Sequence, residues 1–231
     1  MHPHPRMACI LLLIYIRVCI GQCGERERER ERRVCIDGLT YVCMCVRKQV
    51  KSVQALADAF RKTIDALAKE GKLSLLIEGM LQHAGQEHVQ AAACEALAGL
   101  TDDNQRVKVA AEGGIGAIVG AMQRQPSTKV QAAACRALWY LARNDSNKVR
   151  IAAEGGVGAI VKALKNHPAH AKVQEAACLV LYSLTYNNSA NKAKAKSAGA
   201  EDAVKRAMAL QDATALTKEC GQIVLKNLKN V

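Results

Sequence analysis

The residues that could carry chemistry in this sequence are cysteines, histidines and one glycine-rich run. Six of the 10 cysteines lie at or before Cys45, and Cys35 with the Cys43/Cys45 pair lacks the ligand spacing of a zinc site. The histidines are scattered, and no Ser/His/Asp or Cys/His arrangement indicates a nucleophile. The run GGIGAIVG over residues 113–120 lacks both the preceding strand and the following Lys-Ser/Thr of a phosphate-binding loop. We therefore predict no catalytic residue, no metal site and no cofactor.

A stripe of aromatic and arginine side chains indicates binding instead of catalysis. Arg136, Trp139, Tyr140 and Arg143 follow one another at the spacing of one helical face. Trp, Tyr and Arg are the residues most enriched at the hot spots of protein interfaces, and Trp139 is the only tryptophan of the chain. Two interpretations stay open: the stripe binds a partner, or its rings pack against an adjacent part of the chain. The opposite face of this helix, which already supplies a core, consists of Val130, Ala134, Ala137, Leu138 and Leu141.

The elements that position this stripe are repeated along the chain. The segment AAEGGIGAIVGAM over residues 110–122 returns as AAEGGVGAIVKAL over residues 152–164, and VQAAACEAL, VQAAACRAL and VQEAACLVL recur at intervals of 41 and 43 residues. Each copy predicts a short helix ending at a Gly-Gly pair, a middle helix stopped by Pro126 or Pro168, and a longer third helix. No segment alternates with the period of a strand. Such units cannot bury their own apolar faces and must stack on their neighbours.

The segments NKVRIAAEGGVGAIVKALKNH and AKVQEAACLVLYSL resemble armadillo repeats of the β-catenin and importin-α kind, over roughly residues 49–231. The resemblance implies an all-α fold, a right-handed α-solenoid of stacked three-helix armadillo repeats. We expect a partial or capping unit at 49–101 and repeats at 104–143, 147–186 and 190–230; the chain could equally be a fragment of a longer repeat protein. The cysteines of the third helices are expected to be small buried side chains in a reducing compartment. They are Cys94, Cys135, Cys178 and Cys220.

The resemblance also implies that the third helices line a concave protein-binding groove. Importin-α grooves carry a Trp and, four residues later, an Asn in successive third helices. The matching pairs of this chain are Glu95/Gly99, Arg136/Tyr140 and Leu179/Ser183, so binding of a Lys-rich import signal is disfavoured. In this register the groove residues are Glu95, Asp102, Arg136, Trp139, Tyr140, Arg143, Leu179, Tyr182, Ser183 and Tyr186.

Residues 1–48 have a different character. The run GERERERERR and the segment YVCMCV are what GA and GT dinucleotide tracts encode, so we expect a low-complexity leader that is disordered or a gene-model artefact. The alternative is a signal peptide over residues 1–23. Its apolar run is interrupted by Arg17, lacks a clear cleavage site, and is too short for an ordinary membrane span.

Charge and fold class together limit the function. The net charge is +12, but the basic residues are spread and carry no nucleic-acid motif, so they favour a solvated surface and a partner of acidic character. We interpret the chain as a non-enzymatic scaffold or adaptor that binds an extended peptide or helix of another protein. No nucleic acid, small-molecule substrate or membrane is expected, and the expected compartment is the cytoplasm, with the nucleus as a further one. The alternatives are a nuclear-import adaptor and a regulatory armadillo segment of a larger, enzyme-associated protein.

Overall fold

The structure is a computed structural model that describes residues 72–100 and 102–229. This part of the chain contains eleven α-helices and no strand, and after the first two helices they come in sets of three. The helices are α1 (Leu73–Gln82) and α2 (Glu87–Ala98); α3 (Asp103–Ala111), α4 (Gly114–Arg124) and α5 (Thr128–Leu141); α6 (Asp145–Ala153), α7 (Gly156–Asn166) and α8 (Ala171–Thr185); and α9 (Ser189–Ser197), α10 (Ala200–Met208) and α11 (Ala215–Lys229).

Each set has a first, a middle and a third helix, and α1 and α2 take the middle and third places of the set before α3. The predicted all-α solenoid of three-helix units is confirmed. The middle helices α4 and α7 end two residues before Pro126 and Pro168, as the sequence indicated. The proposed leader at 1–48, the signal-peptide alternative and the first part of the capping unit lie outside the described residues. The division of the chain at residue 48 stays a prediction.

A left-handed glycine makes the corner between the first and middle helices of every unit. Gly113, Gly155 and Gly199 have φ angles of 84°, 79° and 77°, a conformation that costs residues with a Cβ atom free energy. Gly113 and Gly155 are followed by a second glycine, whereas Gly199 is followed by Ala200. The second glycine is required for space, because a Cβ on Gly156 would lie 2.7 Å from the carbonyl oxygen of Ile151. The Gly-Gly pair therefore reverses the chain and lets the middle helix start against the end of the first.

A polar side chain caps each first helix at its N-terminus. The side-chain oxygens of Asp102, Asn144 and Asn188 accept hydrogen bonds from backbone N–H groups at 3.2, 3.2 and 2.9 Å. Two buried asparagines in the first helices donate hydrogen bonds to the end of the third helix of the preceding unit. Asn147 donates to the carbonyl oxygen of Leu141 at 3.1 Å, and Asn191 donates to that of Leu184 at 3.0 Å.

A buried glutamine in three of the third helices, α2, α5 and α8, holds the end of the middle helix. The Nε2 atom of Gln131 donates to the carbonyl oxygens of Met122 and Gln125, both at 2.7 Å. Gln90 and Gln174 make the same pair of bonds in their units. The last carbonyl groups of a helix have no partner within the helix, so these glutamines satisfy acceptors that would otherwise be buried without a donor.

The third helices pack side by side, α2 against α5, α5 against α8 and α8 against α11. The predicted apolar face of α5 is confirmed, because its five members are all fully buried. The four cysteines of the third helices are buried, as predicted, and are free thiols. Burial raises the pKa of Cys94 and of Cys178 to about 12, which keeps both thiols neutral and unreactive. Across the described helices, none has both the length and the apolar character needed to span a bilayer.

Side-chain hydrogen bonds between successive units run mostly in one direction. Donors of the later unit bond to acceptors of the earlier one, as when Asn147 donates to the carbonyl oxygen of Arg106 at 3.4 Å and Asn191 donates to that of Lys148 at 3.3 Å. The same direction holds on other helices, from Gln125 to Ala84, Ser127 to Glu87, Lys194 to Ala152, Thr214 to Glu175 and Asn227 to Thr185. Lys165 is an exception, because its Nζ donates forward to the carbonyl oxygen of Ala198 at 2.8 Å.

Candidate protein-binding face

The residues that the sequence predicts to bind a partner lie on the third helices or within a few residues of their ends. We call this surface the third-helix face and define it by the ten groove residues named above. None of them belongs to the buried core: six are half-buried, and Asp102, Arg136, Arg143 and Tyr186 are exposed. The rows of side chains on α2, α5 and α8 lie next to one another because these helices pack side by side.

Every aromatic residue of the described chain lies on this face. The core is built from Ala, Val, Leu, Ile, Met and Cys, whereas Trp139, Tyr140, Tyr182 and Tyr186 remain partly accessible to solvent. Aromatic side chains bury the largest apolar areas in most cores. Their exclusion from this core leaves their rings partly accessible to solvent.

The aromatic residues form two pairs with defined geometry. The ring centroids of Trp139 and Tyr140 lie 4.7 Å apart with a 55° angle between the ring planes. Those of Tyr182 and Tyr186 lie 6.1 Å apart at the same angle. Tilted pairs at such distances attract one another beyond their buried area, so each pair presents a relatively rigid apolar surface.

A lysine from the first helix of the same unit supports the second pair. Lys148 Nζ lies 5.9 Å from the ring centroid of Tyr186 and 2.8 Å from Asp145 Oδ1. The Lys148 side chain is only 13% exposed, so its position is fixed by packing as well as by charge. This cation–π contact holds the most exposed ring of the face, that of Tyr186, against the protein.

The charge of the face changes from one third helix to the next. The α2 side carries Glu95 and Asp102, α5 carries Arg136 and Arg143, and α8 carries no charge at its positions of the set. Neither arginine has a carboxylate partner among the residues that the structure describes. Two exposed guanidinium groups without a described carboxylate partner thus flank the Trp139–Tyr140 pair in the chain.

Asp102 has a structural role that the sequence interpretation missed. Its Oδ1 accepts the backbone N–H of Asn104 at 3.2 Å and so caps α3. Asn144 and Asn188 hold the same place before α6 and α9. Comparison of the three repeats at this position would have indicated a cap, because Asp and Asn are favoured there. The carboxylate of Asp102 is thus engaged locally, although the residue is exposed on the face.

No other cluster on the described helices suggests a different chemistry. Within 72–100 and 102–229, no three His, Cys, Asp or Glu side chains lie close enough together to hold a metal ion. A shallow cleft of about 220 Å³ lies between the ends of α4 and α7, with Lys162 and His167 on its rim and Met122 and Ala163 on its floor. Its lining contains no Ser, Thr, Cys, Tyr, Asp or Glu side chain.

Comparisons with known proteins agree with this architecture. The family model described as the LRRK2 ARM repeat matches residues 62–231. The Beta-catenin-like protein hmp-2 of Caenorhabditis elegans is 33% identical over 116 residues, which are 48% of this chain and 17% of that protein. The chain therefore corresponds to a small part of this relative.

Solved structures with the same fold include designed proteins. Designed armadillo repeat protein YIII(Dq)4CqI superposes with a TM-score of 0.64 at 20% identity, covering 78% of each chain. Designed armadillo repeat protein YIII(Dq.V1)4CPAF, solved in complex with peptide (KR)4, superposes with a TM-score of 0.61 at 19% identity, covering 93% of this chain and 91% of that one. At such identities the likeness concerns the fold alone.

Proposed function

Because this chain belongs to the LRRK2 ARM repeat family, we propose that it is a non-enzymatic protein-interaction module, a scaffold or adaptor, that binds a segment of another protein along the third-helix face. The observation that carries the proposal is the placement of all four described aromatic residues on that face and none in the core. Residues of this type dominate the binding energy of protein interfaces when a partner buries them. The designed armadillo protein in complex with peptide (KR)4 supports an extended peptide as the form of the partner.

The charge of the face favours an acidic partner with apolar side chains. Arg136 in α5 and Arg143, two residues beyond the end of α5, lie exposed before and after the Trp139–Tyr140 pair in the chain. An extended segment with alternating acidic and apolar residues would place carboxylates near the guanidinium groups and apolar side chains on the rings. Such a partner has the opposite charge to (KR)4, because this face carries arginines where a basic peptide would need acceptors.

The proposed compartment is the cytoplasm, with the nucleus as a further one. The four described cysteines are unpaired thiols, which fits a reducing environment. We do not expect this module to catalyse a reaction, because the cleft between α4 and α7 is lined by no Ser, Thr, Cys, Tyr, Asp or Glu side chain and no group of described His, Cys, Asp and Glu residues could hold a metal ion.

Peptide titrations followed by tryptophan fluorescence test the proposal. The chain has a single tryptophan, Trp139, so its emission reports directly on the centre of the face. The probes are the matched octapeptides (DL)4 and (KL)4; an extended octapeptide spans about 26 Å, enough to cross three packed helices at about 10 Å spacing. We expect (DL)4 to shift the emission of Trp139 and to lose affinity at least about tenfold with Arg136→Glu.

The matched control variant is Lys162→Glu, which removes the same charge from an exposed position of α7 away from this face. Binding of (DL)4 should be nearly unchanged in this variant. Tighter binding of (KL)4 than of (DL)4 would support the import-adaptor alternative, and no response to either peptide would refute the proposed acidic partner. A peptide array probed with the wild-type chain and with Trp139→Ala would then identify natural sequences that depend on the face.

A further inference from the structure

The cleft between the ends of α4 and α7 carries two polar groups that have no partner among the described residues. None of the residues that line it belongs to the third-helix face. Met122 and Ala163 on its floor are 5% and 3% exposed, and Pro126 and Ala159 add further apolar surface. Its volume of about 220 Å³ is below the roughly 300–1,000 Å³ of clefts that enclose a whole small-molecule ligand. An occupant of the size of one large side chain therefore fits it best.

The first of the two groups is the side-chain oxygen of Gln131. This residue is only 4% exposed, and its Nε2 is used twice, in hydrogen bonds to carbonyl oxygens at the end of α4. Its Oε1 accepts no hydrogen bond from the described residues. The Oε1 of Gln90, at the same place in the preceding unit, is fully buried without a partner, whereas that of Gln131 is accessible. Since Gln131 lines the cleft and acceptors in such surroundings are normally hydrogen-bonded, an occupant of the cleft should bring a donor.

The second group is the ammonium group of Lys162, which is exposed on the rim of the cleft. It forms no ion pair or hydrogen bond with the described residues, and no Asp or Glu lines the cleft. His167 on the same rim adds no charge at neutral pH, because burial, and after it the neighbouring His170, lower its pKa. The lining thus carries one uncompensated positive charge, which complements a single carboxylate.

Tryptophan is the side chain that matches the floor and the acceptor together. Its indole is a large apolar ring with one hydrogen-bond donor and no acceptor, so its N–H can bond to the Oε1 of Gln131. The ring would then lie on Met122, whose thioether makes favourable contacts with aromatic rings. Tryptophan is also among the residues that dominate binding at protein interfaces when they fill a pocket of the partner.

The position of Lys162 on the rim adds a second requirement to the occupant. Successive residues of a peptide have Cα atoms about 3.8 Å apart, so the neighbour of a tryptophan on the floor lies at the rim. We propose that the cleft between α4 and α7 is a second docking site, which binds a tryptophan and an adjacent acidic residue of another protein. The indole N–H bonds to Gln131 and the carboxylate pairs with Lys162. This site does not depend on the third-helix face.

A short peptide tests the proposal on the full chain. The probe is the fluorescein-labelled hexapeptide GSWDSG, followed by fluorescence anisotropy, and we expect saturable binding that weakens as salt rises. Methylation of its indole nitrogen keeps the ring but removes the donor, and should lower the affinity at least about fivefold. The peptide GSWNSG keeps the shape but lacks the carboxylate, and should bind about threefold or more weakly.

Variants of the protein locate the bound peptide. Lys162→Glu should lower the affinity for GSWDSG at least about fivefold, and GSWKSG should regain affinity for this variant. Ala159→Leu extends a larger side chain from the half-buried wall of the cleft, and should weaken binding at least about tenfold. Arg136→Glu makes the same charge change on the third-helix face and is the matched control, which should leave the binding of GSWDSG unchanged. The circular dichroism spectrum checks that each variant stays folded.

Equal binding of the methylated probe would overturn the proposal, because it would show that no donor is recognised at Gln131. Loss of binding with Arg136→Glu would place the peptide on the third-helix face and would overturn it as well. The same conclusion would follow if Lys162→Glu had no effect or if GSWDSG showed no saturable binding.

Discussion

Trp139 is the residue on which the binding proposal depends most. It is half-buried on α5 and in contact with the ring of Tyr140, and the core beneath it is complete without it. We expect Trp139→Ala to cost on the order of 2 kcal/mol or more in the binding of an acidic peptide. The free energy of unfolding should change by less than about 1 kcal/mol, since the residue is not part of the core. Peptide titration by anisotropy and urea denaturation measure the two quantities.

A packing role for Trp139 gives the opposite pattern. In that case its truncation would cost roughly 3–5 kcal/mol of stability, and any loss of binding would follow from unfolding. Leu138→Ala is the matched control, because Leu138 is the adjacent residue of α5 and is fully buried. This control should destabilise the protein strongly whatever the role of Trp139 is.

Substitution of Gln131 tests the contribution of the buried hydrogen bonds at the end of the middle helix to stability. We expect Gln131→Leu to lower the free energy of unfolding by about 1–3 kcal/mol, because the carbonyl oxygen of Met122 loses its buried donor. Gln123→Leu, an exposed position on α4, is the control and should change stability by less than about 0.5 kcal/mol. Equal effects of the two substitutions in urea denaturation would contradict a structural role for the glutamine.

At the scale of single residues, the sequence predicts the burial or exposure of side chains that follow a helical period. It does not predict which polar side chains satisfy individual buried hydrogen bonds. The spacing of Arg136, Trp139 and Tyr140 was enough to place them opposite the buried face of α5, and they are indeed outside the core. Gln131 and Asn147 were not predicted, because a polar residue in an apolar pattern is informative only when its acceptor is known. The recurrence of glutamine after valine at the start of three third helices was the available signal.

At the scale of the helices, a corner glycine and a glycine inside a helix should respond in opposite directions to the same substitution. Gly155 has φ at 79°, so we expect Gly155→Ala to cost about 1–2 kcal/mol. Gly158 lies three residues later inside α7, is exposed, and has open space where a Cβ would be. Gly158→Ala should therefore stabilise the protein by about 0.5–1 kcal/mol. Thermal denaturation of both variants would contradict this account if the two shifts had the same sign.

The sequence predicts the number and order of the helices better than their ends. Repetition of the Gly-Gly corner and of Pro126 and Pro168 defined the first and middle helices, because these residues impose backbone conformations wherever they occur. The third helix α5 begins at Thr128, two residues before the apolar pattern suggested. Ser127 is extended, with ψ at 132°, and takes the capping place. An apolar pattern cannot indicate such a start, since the first turn of this helix faces solvent in part.

At the scale of the whole molecule, the proposed leader can be removed as a test. We expect a chain without residues 1–48 to keep its helical circular dichroism and its cooperative unfolding, because no repeat position falls in that segment. Deletion of residues 190–231 is the contrasting variant. It removes α9, α10 and α11, which pack on α8 and on its neighbours, and should lower the unfolding midpoint clearly. Insolubility of the first variant would mean that the leader is part of the fold.

The direction of the hydrogen bonds between units bears on how the protein is made. A ribosome releases the earlier unit first, and that unit holds the acceptors, such as the carbonyl oxygen of Arg106. Such an acceptor costs little free energy while its donor is absent, because a helical carbonyl already accepts one hydrogen bond and has a second lone pair. A buried Asn147 without its acceptor would cost more, yet Asn147 emerges when its acceptor is already in place. Each new unit therefore finds its hydrogen-bond acceptors already present in the preceding unit. Synthesis from the N-terminus thus seldom leaves a buried donor without its acceptor.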